Sequence, residues 1–426
     1  MSLIVIGSIV GSGIFRAPSV VAQREHTPAT ILIAWAVGGL VALFGAFVLG
    51  ELAARRSDGY GVYAYLRDAF HPVVAFAFGW TSLLVSFTGG IAAAAVLFGA
   101  YFETLTGLHV APLVVAVVTI VILTAITCVG VRESGNVQNA LTLLKIVALA
   151  GIVLAAFFVH PVIRSAPILQ GVAGNPFVDF GVAMIPVLFA YNGAAVAGFM
   201  TLETKAPARA LPIGLWSGML GVIVLYLLVN AACIHVLGAD GLAKTATPAS
   251  DVLFAAAGSL GARIVAAIIA LATLGFISNR MLTAPRLYHA MADDGLFFKQ
   301  IGAINPKTLV PVAAVVLQGV LAIVIALTGS YSQILNYVVS TAYVFAGLFA
   351  LALLVIRKQD RRTGTIPAGR FRMPGHPVST FIMMVVSWSV AVDTYIKYPI
   401  DGLIGLGILF SAIPVYFIWR LRTQPP

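Results

Sequence analysis

Long apolar stretches alternate along this chain with short connections that carry most of its charges. The stretches cover residues 2–22, 30–54, 73–102, 111–130, 140–159, 178–202, 212–237, 260–289, 309–328, 333–356, 377–396 and 402–421. Each can cross a bilayer core about 30 Å thick as a helix of about 20 residues. The pattern therefore predicts an all-α polytopic membrane protein with about twelve transmembrane helices. The connections are too short to hold a separate soluble domain, so residues 1–426 read as one transmembrane domain. Two stretches, 73–102 and 260–289, exceed a perpendicular span and are expected to tilt or to extend beyond the membrane. The connection 238–258 contains an apolar segment, 251–257, that suggests a short surface helix over an outer vestibule.

Two of the stretches are interrupted. In the first, Gly11, Ser12 and Gly13 break an apolar run that resumes at Ile14 and Phe15. Unpaired backbone groups in hydrocarbon cost several kcal/mol each, so loose backbone at this depth survives only against protein or a water-filled cavity. The N-terminal end of the resumed half-helix offers free N–H groups and a positive dipole end, which together suit a carboxylate. Taken alone, such a break is equally a small-residue packing face from Gly7 to Gly11. A second break stands at Tyr191, Asn192 and Gly193, shortly after Pro186, and opens a second group of five stretches. Matched breaks at corresponding positions point to a midplane binding site between inverted repeats. The expected organisation is repeat one at 2–159, repeat two at 178–356 and two extra helices at 377–421.

Composition agrees with the membrane reading: 60% of the 426 residues are hydrophobic, 9% are charged and the mean hydropathy is +1.02. The first stretch lacks the basic lead of a cleaved signal peptide. The net charge of +10 would suit nucleic acid, but the distribution of Lys and Arg argues for topology instead. With both termini inside, eighteen of the 25 fall in inner connections, between Arg55 and Arg422. Six fall outside, namely Arg16, Arg24, Arg164, Lys244, Arg263 and Lys397, and Lys145 lies within a span. The positive-inside rule then orients both termini to the cytoplasm of a multi-pass protein in the cell (inner) membrane, with no nucleic-acid partner. Cys128 and Cys233 fall near opposite membrane faces, too far apart to be bridged. The seven histidines show no metal-ligand spacing, and no Ser-His-Asp, Cys-His or carboxylate pair is placed for catalysis. Neither a catalytic residue nor a metal or cofactor is expected.

Several blocks resemble a known family. Gly11-Ser12-Gly13-Ile14-Phe15 with Ala17-Pro18 looks like the first-helix signature of the amino acid–polyamine–organocation superfamily. Glu51-Leu52-Ala53, the segment Gly59 to Phe70 and Gly79-Trp80 resemble its connection between helices 2 and 3. Phe189-Ala190-Tyr191-Asn192-Gly193, Glu203 and the segment Lys205 to Pro212 resemble helix 6 and its exit loop. Residues 290–297 with Asn305-Pro306 and Pro311 are similar to the connection between helices 8 and 9. Within the superfamily, bacterial amino acid permeases and exchangers related to the L-amino-acid transporters look most similar. In such relatives the lead into helix 1 is longer. Ten residues before Gly11, at about 1.5 Å each, reach only half a bilayer core. This implies either a truncated start or a slight inner gate.

The resemblance implies that an amino acid lies between the two breaks. Its carboxylate would meet N–H groups, and the hydroxyl, around Ser12 and Gly13. Its ammonium would meet carbonyls near Ile9 and from Phe189 through Ala190 to Asn192, with Phe189 as an aromatic gate. Lys145 carries an ammonium that is costly within a span, by about 2.5–3.5 kcal/mol on insertion scales. It either snorkels to the inner surface or, as the resemblance implies, occupies the place sodium takes in coupled relatives and reaches the carbonyls before Gly11. Arg280 is unexpected at a position that lines the substrate or cation site in relatives. It reads as a contact to a substrate side-chain carboxylate, as a gate charge, or as the inner part of a long helix touching Glu203 or lipid phosphate. Glu51, Arg55 and Glu203 read as surface ion pairs or as an inner gate network, and the segment 357–372 as a solvated, lipid-facing connection. The function expected is sodium-independent secondary transport of an amino acid by exchange or proton coupling. A polyamine or organic-cation carrier of the same fold, or a sensor that binds amino acid without moving it, stays open as an alternative.

Overall fold

The computed structural model describes residues 2–56, 61–130, 135–159, 176–193, 206–308, 310–329, 331–365 and 371–423. Every regular element among them is a helix. The first stretch is two short helices, α1 (Ser2–Ile9) and α2 (Ser12–Ala22), bent by 50° across the break. α3 (Pro28–Arg55) follows. It starts where Thr27 accepts from the Thr30 N–H and Pro28 occupies the first helical position, where a missing N–H costs nothing. After the short α4 (Gly61–Ala69), a long span begins as α5 (Pro72–Thr81), loosens into a π turn at Ser82–Ser86 and continues as α6 (Phe87–Thr106). Gly107, at φ 73°, closes it in the left-handed conformation that glycine adopts without a side-chain clash. α7 (Pro112–Val129), α8 (Gly135–Phe157) and α9 (Pro176–Tyr191) follow.

The second half contains α10 (Pro207–Lys244), α11 (Pro248–Thr283), α12 (Pro285–Asp293), α13 (Lys299–Gly302), α14 (Val312–Thr328), α15 (Tyr331–Thr363), α16 (Val378–Lys397) and α17 (Pro399–Thr423). Nine helices among the described residues are long and apolar enough to cross a membrane, and the bent pair α1–α2 makes a tenth. Two shorter apolar helices, Asp179–Tyr191 and Val312–Thr328, lie on the remaining stretches read from the sequence. Valines and isoleucines at 114, 118, 121 and 122 form an exposed stripe along α7, the mark of a helix whose outer face meets hydrocarbon instead of water.

The seventh span ends at residue 237, as the hydropathy reading places it: Gly238, at φ 68°, leaves helical geometry, and a short second helix carries α10 on to Lys244. The expected surface helix is the start of α11, which turns again at Ala257 and Gly258. Residues 357–363 belong to α15, because its amphipathic end packs against α3 where hydropathy suggested a free connection. Inside, α2 packs on α9, α3 on α10, and α11 on both α6 and α8, so the two interrupted spans sit at the centre. Trp35, Tyr191 and Tyr226 meet there at centroid distances of 5.8, 5.6 and 5.1 Å.

Candidate functional site: a cavity between two broken helices

The two breaks touch each other, backbone against backbone. A Cβ on Gly13 would stand 2.4 Å from Ala190 Cα, and one on Gly193 would stand 2.4 Å from the Ser8 carbonyl oxygen. Real carbon atoms do not approach that closely, so both contacts need glycine. Gly11 performs a similar service towards a side chain, since its Cβ would lie 2.7 Å from the Phe276 ring. The first N–H groups of α2 have no partner within their own helix, and α1 ends in carbonyls in the same position. Donors and acceptors are thus presented side by side at the centre of the molecule.

A cavity opens on this junction. Ile9, Gly11 and Gly13 line it from the first break, and Phe189, Ala190 and Asn192 from the second. Every substrate contact named from the sequence therefore lines the cavity except Ser12, whose side chain lies outside the described residues. Phe189, on the cavity wall, packs edge-to-face with Tyr331 behind it at 6.4 Å. The remaining wall is largely aromatic, from Phe78, Phe87, Phe276, Phe345 and Phe349.

Lys145 is fully buried and donates from Nζ to the carbonyls of Gly7 at 3.2 Å and Val10 at 3.0 Å. It therefore does not snorkel. The broken end of α1 supplies what an ammonium needs in an apolar setting, namely unpaired carbonyls and the negative end of a helix dipole. Arg280, on α11, is 7% exposed and lines the cavity with its guanidinium over the rings of Phe87 at 5.5 Å and Phe276 at 5.1 Å. Glu203, named as a gate residue, lies outside the described residues, so no contact between it and Arg280 is described.

Glu51 and Arg55 depart from the expectation of surface pairing. Glu51 is completely buried. It accepts from Arg55 Nε at 2.8 Å, from Arg357 Nε at 2.6 Å, from Arg357 Nη2 and from the Met373 N–H at 2.7 Å. Asp360 accepts from Arg55 at 2.6 Å and from Arg56 at 2.9 Å. The basic segment from residue 357 thus holds α3 to α15 at one end of the molecule. Burial follows because Arg357 and the Met373 N–H arrive from more than 300 residues away, which hydropathy cannot register.

Three features of the site had no local signal. Ser82 and Ser86 reach the wall through the π turn, a distortion common at functional sites. Phe276 reads in sequence as an ordinary core ring, yet it packs directly on Gly11. Tyr226 is fully buried, and its hydroxyl lies 3.4 Å from the Ile9 carbonyl and 3.3 Å from that of Ala190. It bridges the two breaks, at the long end of hydrogen-bond range.

Known proteins resemble the chain over nearly its whole length. Residues 1–418 match the family described as amino acid permease. The serine/threonine exchanger SteT of Bacillus subtilis (strain 168) is 25% identical, with 98% of this chain and 95% of that protein covered. The b(0,+)-type amino acid transporter 1 of Rattus norvegicus is 30% identical over 99% of this chain and 88% of its own. The cystine/glutamate transporter of Homo sapiens is 24% identical over 99% and 84%.

Proposed function

The chain belongs to the amino acid permease family and is a multi-pass secondary amino acid transporter, and from that premise we propose that the cavity between the two breaks holds the substrate during alternating access. The reading rests on complementarity. A zwitterion requires donors at one end and acceptors at the other. Unwound backbone provides both without burying an unpaired charge. The carboxylate takes the N–H groups at the start of α2, around Ser12 and Gly13, and the ammonium takes carbonyls at Ile9 and in the turn from Phe189 through Ala190 to Asn192. Phe189 closes over the substrate. The repeats at 2–159 and 178–356 act as inverted halves that rock about this fixed site. Both termini face the cytoplasm of the cell membrane, following the excess of Lys and Arg on that side. The network around Glu51 then marks the cytoplasmic end.

The observation that carries the coupling is the placing of Lys145. Its ammonium sits on the Gly7 and Val10 carbonyls, beside the break, where a bound cation would otherwise neutralise the same oxygens. Transport is accordingly sodium-independent, by exchange or with protons. A polyamine or organic-cation cargo is disfavoured, because no Asp or Glu is among the described residues that line the cavity and Arg280 is.

Uptake of labelled amino acids into liposomes, with and without internal substrate and with sodium replaced by potassium, tests this. The expected result is uptake stimulated by internal substrate and indifferent to sodium. Lys145→Met should lose about tenfold or more, since hydrogen bonds from a charged donor contribute about 1.5–3 kcal/mol. Strict sodium dependence would overturn the role given to Lys145.

A further inference from the structure

Arg280 poses an electrostatic problem that the transport of a neutral amino acid leaves unsolved. Its guanidinium is more than nine-tenths buried, in the middle of a membrane protein. No carboxylate among the described residues lies within ion-pairing distance of it, whereas three carboxylates buried elsewhere are engaged. Glu51 and Asp360 are held by Arg55, Arg56 and Arg357, and Asp401 by Asn336. What surrounds Arg280 is aromatic: Phe87 and Phe276 cover it and Phe345 and Phe349 share the same wall. An isolated buried charge is expensive unless something brought to it supplies the counter-charge.

The geometry indicates where that counter-charge arrives. Two rings stand within cation–π range of the guanidinium, which satisfies part of its charge but none of its N–H donors. The N–H donors of arginine project along the edges of the plane, the direction from which a carboxylate binds with two parallel hydrogen bonds. Arg280 lines the same cavity as Gly13 and Phe189. A ligand whose α-carboxylate and ammonium are held at the breaks therefore presents its side chain to a wall that contains a cation no carboxylate among the described residues neutralises.

We propose that Arg280 selects amino acids with an acidic side chain, so that the substrate class is a dicarboxylic amino acid of the glutamate or aspartate kind. The proposal rests on the reading of the cavity as the amino acid site. A neutral side chain leaves the guanidinium unpaired and a cationic one meets it with like charge. Discrimination thus has both an attractive and a repulsive element. Lysine at this position would keep the charge but lose the planar fork, and glutamine would lose both.

The test is uptake of labelled L-glutamate, L-aspartate, L-leucine and L-arginine into liposomes by the unaltered protein, Arg280→Lys and Arg280→Gln, with cross-competition. Thermal stabilisation of the unaltered protein in detergent by each amino acid provides a measurement that needs no variant. The expected result is preference for glutamate or aspartate, no competition by arginine, and a loss of about a hundredfold in acidic uptake by Arg280→Gln, the scale for removing one partner of a desolvated charge pair. Arg280→Lys should fall between, and the neutral-to-acidic uptake ratio should rise in both variants. Leucine uptake with no competition or stabilisation by glutamate would overturn the proposal while leaving the amino acid site standing. Equal glutamate uptake by a folded Arg280→Gln would overturn it as well. Failure to take up or be stabilised by any amino acid would remove the reading of the cavity and the proposal with it.

Discussion

Gly13 and Gly151 illustrate how differently one residue type acts in this chain. At Gly13 an added methyl would meet the Ala190 backbone, whereas at Gly151 it would meet nothing within 4 Å. Backbone cannot move aside as a flexible side chain can, and overpacking of this kind costs about 1–3 kcal/mol. Gly13→Ala should therefore abolish most uptake by forcing α2 away from α9. Gly151→Ala should keep uptake and gain up to about 1 kcal/mol of stability, because glycine is a poor helix former. Thermal melts in detergent beside uptake assays check both, and wild-type uptake by Gly13→Ala would show that the close approach is dispensable. The importance of Gly11 to Gly13 was legible in the sequence as a break in an apolar run. That Gly13 meets Ala190, and Gly193 meets Ser8, was not, since these partners lie in different halves of the chain.

At the scale of elements, the end of the molecule where α2 finishes is closed by the connection in which the sequence predicts a short surface helix, but whose ties to α2 hydropathy cannot register. After the turn at Gly238, α10 continues to Lys244, and the chain re-enters through the first turns of α11. This connection is tied to α2, as Arg16 and Ser19 both donate to the Thr245 carbonyl and Gln23 donates to that of Ala243. Each such bond is worth about 1 kcal/mol. The double variant Arg16→Ala with Ser19→Ala should accordingly speed amide hydrogen exchange over residues 239–256 by about tenfold. Unchanged exchange would mean that the connection is held by its apolar contacts alone. The π turn at Ser82–Ser86 shows the same limit of local reading. Its residues are ordinary helix and strand formers, and the looser winding depends on packing from other helices.

The whole molecule is held at its opposite end by the network around Glu51. It joins α3 to α15 and to the connection before α16, elements that periodicity describes separately. A buried carboxylate that balances two guanidinium groups is costly to remove, because it leaves those charges uncompensated, at about 3–5 kcal/mol. Glu51→Gln should lower Tm markedly and reduce uptake. If Tm is retained and only the rate of exchange changes, the network acts in the transport cycle and contributes little to stability.

The sequence by itself determined the class of protein, the number of apolar stretches, the two interruptions and the family likeness. Each of these is written in runs of neighbouring residues, where hydropathy and helix geometry act locally. Of the cavity, the two breaks were legible and their mutual contact was not. The tertiary structure alone decided that Lys145 reaches the α1 carbonyls, that Tyr226 spans both breaks, that Glu51 is buried and that Arg280 faces the cavity. The physical reason is that these outcomes depend on desolvation and on close approach between groups separated by 135 positions for Lys145 and Val10, and by 306 for Arg357 and Glu51. A hydropathy pattern says which residues leave water, and only packing says which polar groups meet once they have left it.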